Sequence, residues 1–133
     1  MEDSILQCTK KVLGLAPEYD VFDLDIIIHI NSVFSTLSQL GVGPADGFTI
    51  EDAAAMWADF VVPLNQLSSV KAYVPLKVRM VFDPPSTSFV IEAMNKAIGE
   101  LEWRLNMFRE LDIAYVEDRE AFLHPINYEE VVW

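Results

Sequence analysis

The sequence predicts an all-α protein, a compact bundle of four to five helices with an extended C-terminal arm. Three observations carry that expectation. Apolar residues recur at three- and four-residue spacing through long runs, as in helices that bury one face. Gly- and Pro-rich stretches punctuate those runs near residues 41–47, 63 and 83–85. The chain has 133 residues, 52 % of them hydrophobic, which suits one domain and excludes intrinsic disorder.

The first helix is predicted over residues 4–13, with Asp3 or Ser4 as N-cap and Gly14 as its stop. A linker containing Pro17 leads to a second helix over 23–40, whose buried stripe is Ile26, Ile30, Val33, Phe34, Leu37 and Leu40. Gly41, Gly43, Pro44 and Gly47 stop it and build a loop. Thr49-Ile50-Glu51-Asp52 resembles a capping box, so a short helix is expected through Ala53, Met56, Trp57 and Phe60.

A further helix is expected over 64–82, with Leu67, Val70, Val74, Val78 and Val81 in one stripe and Tyr73, Leu76 and Met80 widening it. Pro75 lies inside this run and removes a backbone donor, so a kink there or a break at Val74 is expected. Asp83-Pro84-Pro85 ends the run. The last long helix is predicted over 88–111, burying Val90, Met94, Ala97, Leu101, Leu105 and Phe108. Glu92–Lys96 and Glu100–Arg104 fall one turn apart on its outer face. From residue 114 the helical period fades, which divides the chain into a helical domain over 1–111 and an arm over 112–133.

Charge sets the functional expectations. Nine Lys and Arg against 21 Asp and Glu give a formal charge of −12. A binder of DNA backbone is excluded, because phosphate neutralisation needs clustered bases. The charge is also segregated. Residues 13–69 hold eight acids and no Lys or Arg; 71–109 hold six bases (Lys71, Lys77, Arg79, Lys96, Arg104 and Arg109) and four acids; 110–133 hold seven acids and one base. A basic flank and an acidic flank on one small domain allow copies to pair head to tail, a contact that closes into a ring when the rotation permits. The arm carries the apolar anchors Tyr115, Phe122, Tyr128, Val131, Val132 and Trp133. It either straps back onto its own domain or docks on a partner through aromatic residues of the kind that dominate interfaces.

Catalytic and metal chemistry find little support. Glu18, Asp20, Asp23 and Asp25 lack the alternating ligands and glycine turn of a calcium loop, so they read as N-capping and dipole-compensating acids of the second helix. His29 and His124 have no ligand partner at metal spacing. Cys8 stands alone, without a local base beyond Lys10 and Lys11, so it forms no internal disulfide and is no evident nucleophile. No phosphate-cradling loop, nucleophile elbow or metalloprotease motif occurs. No enzymatic activity and no cofactor are therefore expected. The acidic N-terminus lacks the features of a signal peptide, and the longest uncharged run, 26–45, is amphipathic and not a membrane span.

Two long blocks carry a family resemblance. Residues 23–34 (Asp23-Leu24-Asp25-Ile26-Ile27-Ile28-His29-Ile30-Asn31-Ser32-Val33-Phe34) with Leu40-Gly41-Val42-Gly43-Pro44 form the first. Residues 70–85, with Ser88-Phe89-Val90 and Glu102-Trp103-Arg104-Leu105-Asn106, form the second. Over about residues 4–110 the chain resembles the small head–tail connector proteins of tailed bacteriophages, with Pro75 and the segment after Leu111 departing most from the pattern. The resemblance implies a non-enzymatic virion protein, made in the bacterial cytoplasm and placed at the capsid vertex. Copies would form a ring, usually of twelve, beneath the portal, meeting the next neck or tail protein and extending the DNA channel, with the arm gripping the portal. Twelve copies would carry a formal charge of 12 × −12 = −144, so duplex would pass without sticking to the wall. The alternative class is an acidic binding protein that mimics DNA or inhibits a host nucleic-acid enzyme.

Overall fold

A computed structural model describes the backbone of residues 3–123 and the side chains of residues 3–107. Four helices make up the fold: α1 (Ile5–Val12), α2 (Asp23–Gln39), α3 (Leu64–Phe82) and α4 (Ser88–Leu123), with a short 3-10 turn at Trp57–Asp59. The all-α bundle expected from the sequence is what forms. Helix α3 sits at its centre and packs against α1, α2 and α4, while α1 also packs against α2.

Helix α1 starts where Ser4 Oγ accepts from the Gln7 amide at 3.3 Å and also donates to the Ala53 carbonyl at 2.7 Å. Helix α2 buries Ile26, Ile30, Val33, Phe34 and Leu37, as its spacing requires. Its N-cap, however, is Phe22, which makes no side-chain cap. Asp23 and Asp25 lie in the first turn, where they still favour the helix dipole. The capping role expected of the acidic cluster is thus corrected, and Asp23 instead pairs with a buried lysine.

The helix expected over 53–60 does not form beyond the 3-10 turn. Its backbone groups are claimed elsewhere: the Ile5 amide donates to Ala55, the Trp57 amide to Asp3, and Asn31 takes both polar groups of Ile50. Asp52 accepts from the Ala54 amide two residues on, closing a local turn in place of a capping box. Trp57 and Phe60 from this segment, with Phe48 from the loop before it, gather around Phe34, with ring centroids 4.9–6.4 Å from it.

Helix α3 runs unbroken from Leu64 to Phe82 with Pro75 buried inside it, so no break occurs at Val74. Packing on three sides outweighs the missing backbone donor. Val70, Tyr73, Val74 and Val78 are buried as expected, but Val81 is 60 % exposed because the last turn instead directs Phe82 onto Phe22 and His29.

Helix α4 continues to Leu123, past the end expected at Leu111, so the first part of the expected arm has helical backbone. Ile98 and Leu105 are its buried anchors, whereas Val90 near the start is exposed. At about 1.5 Å per residue, α4 spans about 54 Å against about 28 Å for α3. The Tyr73–Glu102 contact fixes the register of this antiparallel pair and sets Leu64 level with about Leu111.

Candidate functional site

All six candidate bases belong to the α3–α4 hairpin. Lys77 Nζ lies 3.6 Å from Glu102 Oε2, and Glu102 also accepts from the Tyr73 hydroxyl at 2.7 Å. Burial, then the hydrogen bond and negative charge of Glu102, push the Tyr73 phenol well above its ordinary pKa. Arg104 pairs with Glu100 at 3.1 Å on the outer face of α4, as the spacing predicts. Lys96 is exposed, while Lys71 and Arg79 are partly buried. Arg109 lies in α4 beyond the described side chains.

Acids also lie in the segment before α2 (Glu18 and Asp20), in the first turn of α2 (Asp23 and Asp25) and in the 41–60 loop (Asp46, Glu51, Asp52 and Asp59). Glu18, Asp20 and Asp25 are exposed around Tyr19 and Phe22. Charge segregation along the sequence does not become segregation between structural elements: α3 carries only bases (Lys71, Lys77 and Arg79), but α4 carries eight acids against four bases. Among the described residues no group of three His, Cys, Asp or Glu is placed to hold a metal ion. His29 sets the edge of its ring against Phe82 at 6.1 Å, and Cys8 is partly buried against the core. No helix among the described residues is long and apolar enough to cross a membrane.

Of the expected docking anchors, Tyr115 and Phe122 fall within α4, where side chains are not described. Tyr128, Val131, Val132, Trp133 and His124 lie outside the described residues.

Two surface features escaped the sequence reading. Trp103 is 63 % exposed on the face of α4 opposite Ile98 and Leu105. Its position off the Leu101–Leu105 stripe was the available signal. The second feature is a half-exposed aromatic group joining three elements: Tyr19 to Phe22 at 6.0 Å, Phe22 to Phe82 at 5.5 Å, and Phe82 to His29. Residues so far apart in sequence give no local pattern. An open cleft of about 360 Å³ lies between α2 and the following loop, lined by Asn31, Ser35, Ser38 and residues 46–49.

A family model described as phage connector protein matches residues 5–112. No curated protein and no solved structure matches the chain.

Proposed function

Because the chain belongs to the phage connector protein family, we propose that it is a head–tail connector, one copy of a ring, usually of twelve, that joins the portal vertex to the neck and extends the DNA channel. The family is structural and non-enzymatic, and it places the chain in the virion with portal and tail proteins. The match over residues 5–112 carries this reading, since it takes in α1, α2, α3 and the whole of α4 that lies level with α3.

Ring copies would be joined by Lys71, Lys77, Arg79, Lys96, Arg104 and Arg109 of the α3–α4 hairpin, which also carries acids, meeting acids of the neighbouring copy. Copies joined basic side to acidic side leave a net negative assembly that repels DNA from its wall. Tyr115, Phe122, Tyr128, Val131, Val132 and Trp133 would grip the portal.

Electron microscopy of the full chain mixed with the portal of the same phage tests the role. Ring density capping the portal is expected. Truncation after Asp112 should keep the domain folded and abolish joining to capsids; joining by the truncated chain would remove the role of the arm. A chain that ignores the portal and binds a basic nucleic-acid enzyme as a monomer would overturn the connector role in favour of an acidic binding protein.

A further inference from the structure

Helix α2 is apolar on more sides than the fold buries. Of Leu24, Ile26, Ile27, Ile28 and Ile30, the core takes Ile26, Ile27 and Ile30. Leu24 is 71 % and Ile28 58 % exposed, one turn apart on the outer face, and Val21 just before the helix is 66 % exposed. A helix that is apolar all round is ordinarily covered all round. The half-exposed rings of Tyr19 and Phe22 extend this surface toward Phe82 and His29.

Acids border it. Glu18 and Asp20 flank Tyr19, Asp25 follows Leu24, and Asp83 follows Phe82; all four are exposed. The pre-α2 segment and α2 carry no Lys or Arg. The bases of neighbouring elements are fewer: Lys10 is buried and paired with Asp23, Arg79 is partly buried one turn before Asp83, and Lys11 is exposed near the end of α1. Apolar side chains bordered by carboxylates fit an apolar segment flanked by Lys or Arg, whose cations also suit the faces of Tyr19 and Phe22.

The surface occupies one end of the bundle. Phe22 and His29 meet Phe82 at the C-terminal end of α3, where the corner into α4 adds exposed Val81 and Phe89. Helix α4 overruns α3 at the opposite end, past Leu64, and carries the start of the arm there. The acid-rimmed surface and the arm thus lie at opposite poles, separated by the length of α3, about 28 Å.

We propose that the acid-rimmed Tyr19–Val21–Phe22–Leu24–Ile28 surface docks the next neck or tail protein, through a segment of that protein with apolar side chains flanked by Lys or Arg. The proposal rests on the connector reading and divides its contacts between two poles, the arm for the portal and this surface for the neck. Side-by-side contacts between ring copies leave both poles free. A ring therefore repeats the surface once per copy, so that individually weak contacts add.

Stepwise joining in vitro tests this with the full chain. Heads made without the chain are first loaded with it, then mixed with the remaining neck and tail proteins of the same phage, and joined particles are counted by electron microscopy. Leu24→Ser with Ile28→Ser, and separately Glu18→Lys with Asp20→Lys, should load onto heads as the unaltered chain does. Each pair should lower joining at least tenfold, with helical circular dichroism unchanged. Glu18→Gln with Asp20→Asn should lose less than the lysine pair. Undiminished joining by the serine pair overturns the surface, and undiminished joining by the lysine pair overturns the basic partner. Loss of loading by either pair places this surface on the portal and overturns the two-pole arrangement. Failure of the unaltered chain to load overturns the connector role itself.

Discussion

Lys10 Nζ lies 2.9 Å from Asp23 Oδ1, with the lysine side chain fully buried and the aspartate 28 % exposed. The same ammonium donates to the Pro17 carbonyl at 2.9 Å. One cation thus ties α1 to the first turn of α2 and to the segment between them. The partners are unequal, because a bare Asp23 can reach water and a bare Lys10 cannot. Asp23→Ala strands a buried charge and should cost about 3 kcal/mol or more. Lys10→Met removes the charge, keeps the apolar stem and should cost clearly less. Urea unfolding of both variants checks the order, and equal losses would contradict it.

Asn31 makes a two-bond clamp on a distant strand of backbone. Its Nδ2 donates to the Ile50 carbonyl at 3.0 Å, and its Oδ1 accepts from the Ile50 amide at 2.7 Å. At about 0.5–1.5 kcal/mol per bond, Asn31→Ala should destabilise by about 2 kcal/mol. Asn31→Asp keeps the acceptor but sets a carboxylate oxygen against the Ile50 carbonyl, so at neutral pH it should cost at least as much as Asn31→Ala. Amide exchange at Ile50 should quicken in both before global unfolding does.

Helices α1, α2 and α3 were legible because a buried stripe is written locally, every three or four residues. Ile26, Ile30, Val33, Phe34 and Leu37 needed no tertiary knowledge. The 49–60 segment was misread for the converse reason. Its capping signal is local, while Ser4, Ile5 and Asn31, which take its backbone groups, lie far off in sequence. Buried Lys10 was illegible too, since a lysine in an amphipathic helix ordinarily reads as solvated. The surfaces were not legible locally. Charge segregation does not survive projection onto elements, because α4 runs on through the acids from Glu110 to Glu120, and the Tyr19–Phe22–Phe82–His29 group exists only once α2 meets the end of α3.

Gly43 and Gly47 separate backbone strain from collision. Both hold a left-handed φ, +95° and +87°. A Cβ at Gly43 would sit 2.6 Å from the Phe60 ring, whereas one at Gly47 would meet nothing within 4 Å. Gly47→Ala should therefore cost only the conformational term of about 1–2 kcal/mol. Gly43→Ala adds the displacement of a ring packed on Phe34 and Phe48, a further 1–3 kcal/mol or so. Thermal midpoints of the two variants should fall in that order, with near-ultraviolet circular dichroism altered only by Gly43→Ala.

Tyr73 gives the fold a defined alkaline limit. Its phenol is buried and donates to Glu102, so ionising it would place a second negative charge beside that carboxylate. The folded-state pKa is raised above the ordinary value of 10.0, by burial first and by Glu102 second. A raised pKa means that above pH 10 the unfolded chain releases a proton which the folded chain retains. The stability this group contributes is thus fully present below pH 10 and is lost as pH rises through the higher folded value. At most one proton is involved, so the slope approaches about 1.4 kcal/mol per pH unit. Tyr73→Phe should cost about 1 kcal/mol at neutral pH, where the hydrogen bond is lost. Above pH 10 the variant's stability should decline less steeply than that of the unaltered chain, bringing the two curves together. Urea unfolding at pH 7, 10 and 11 measures this, and parallel curves would show that Tyr73 ionises equally in both states.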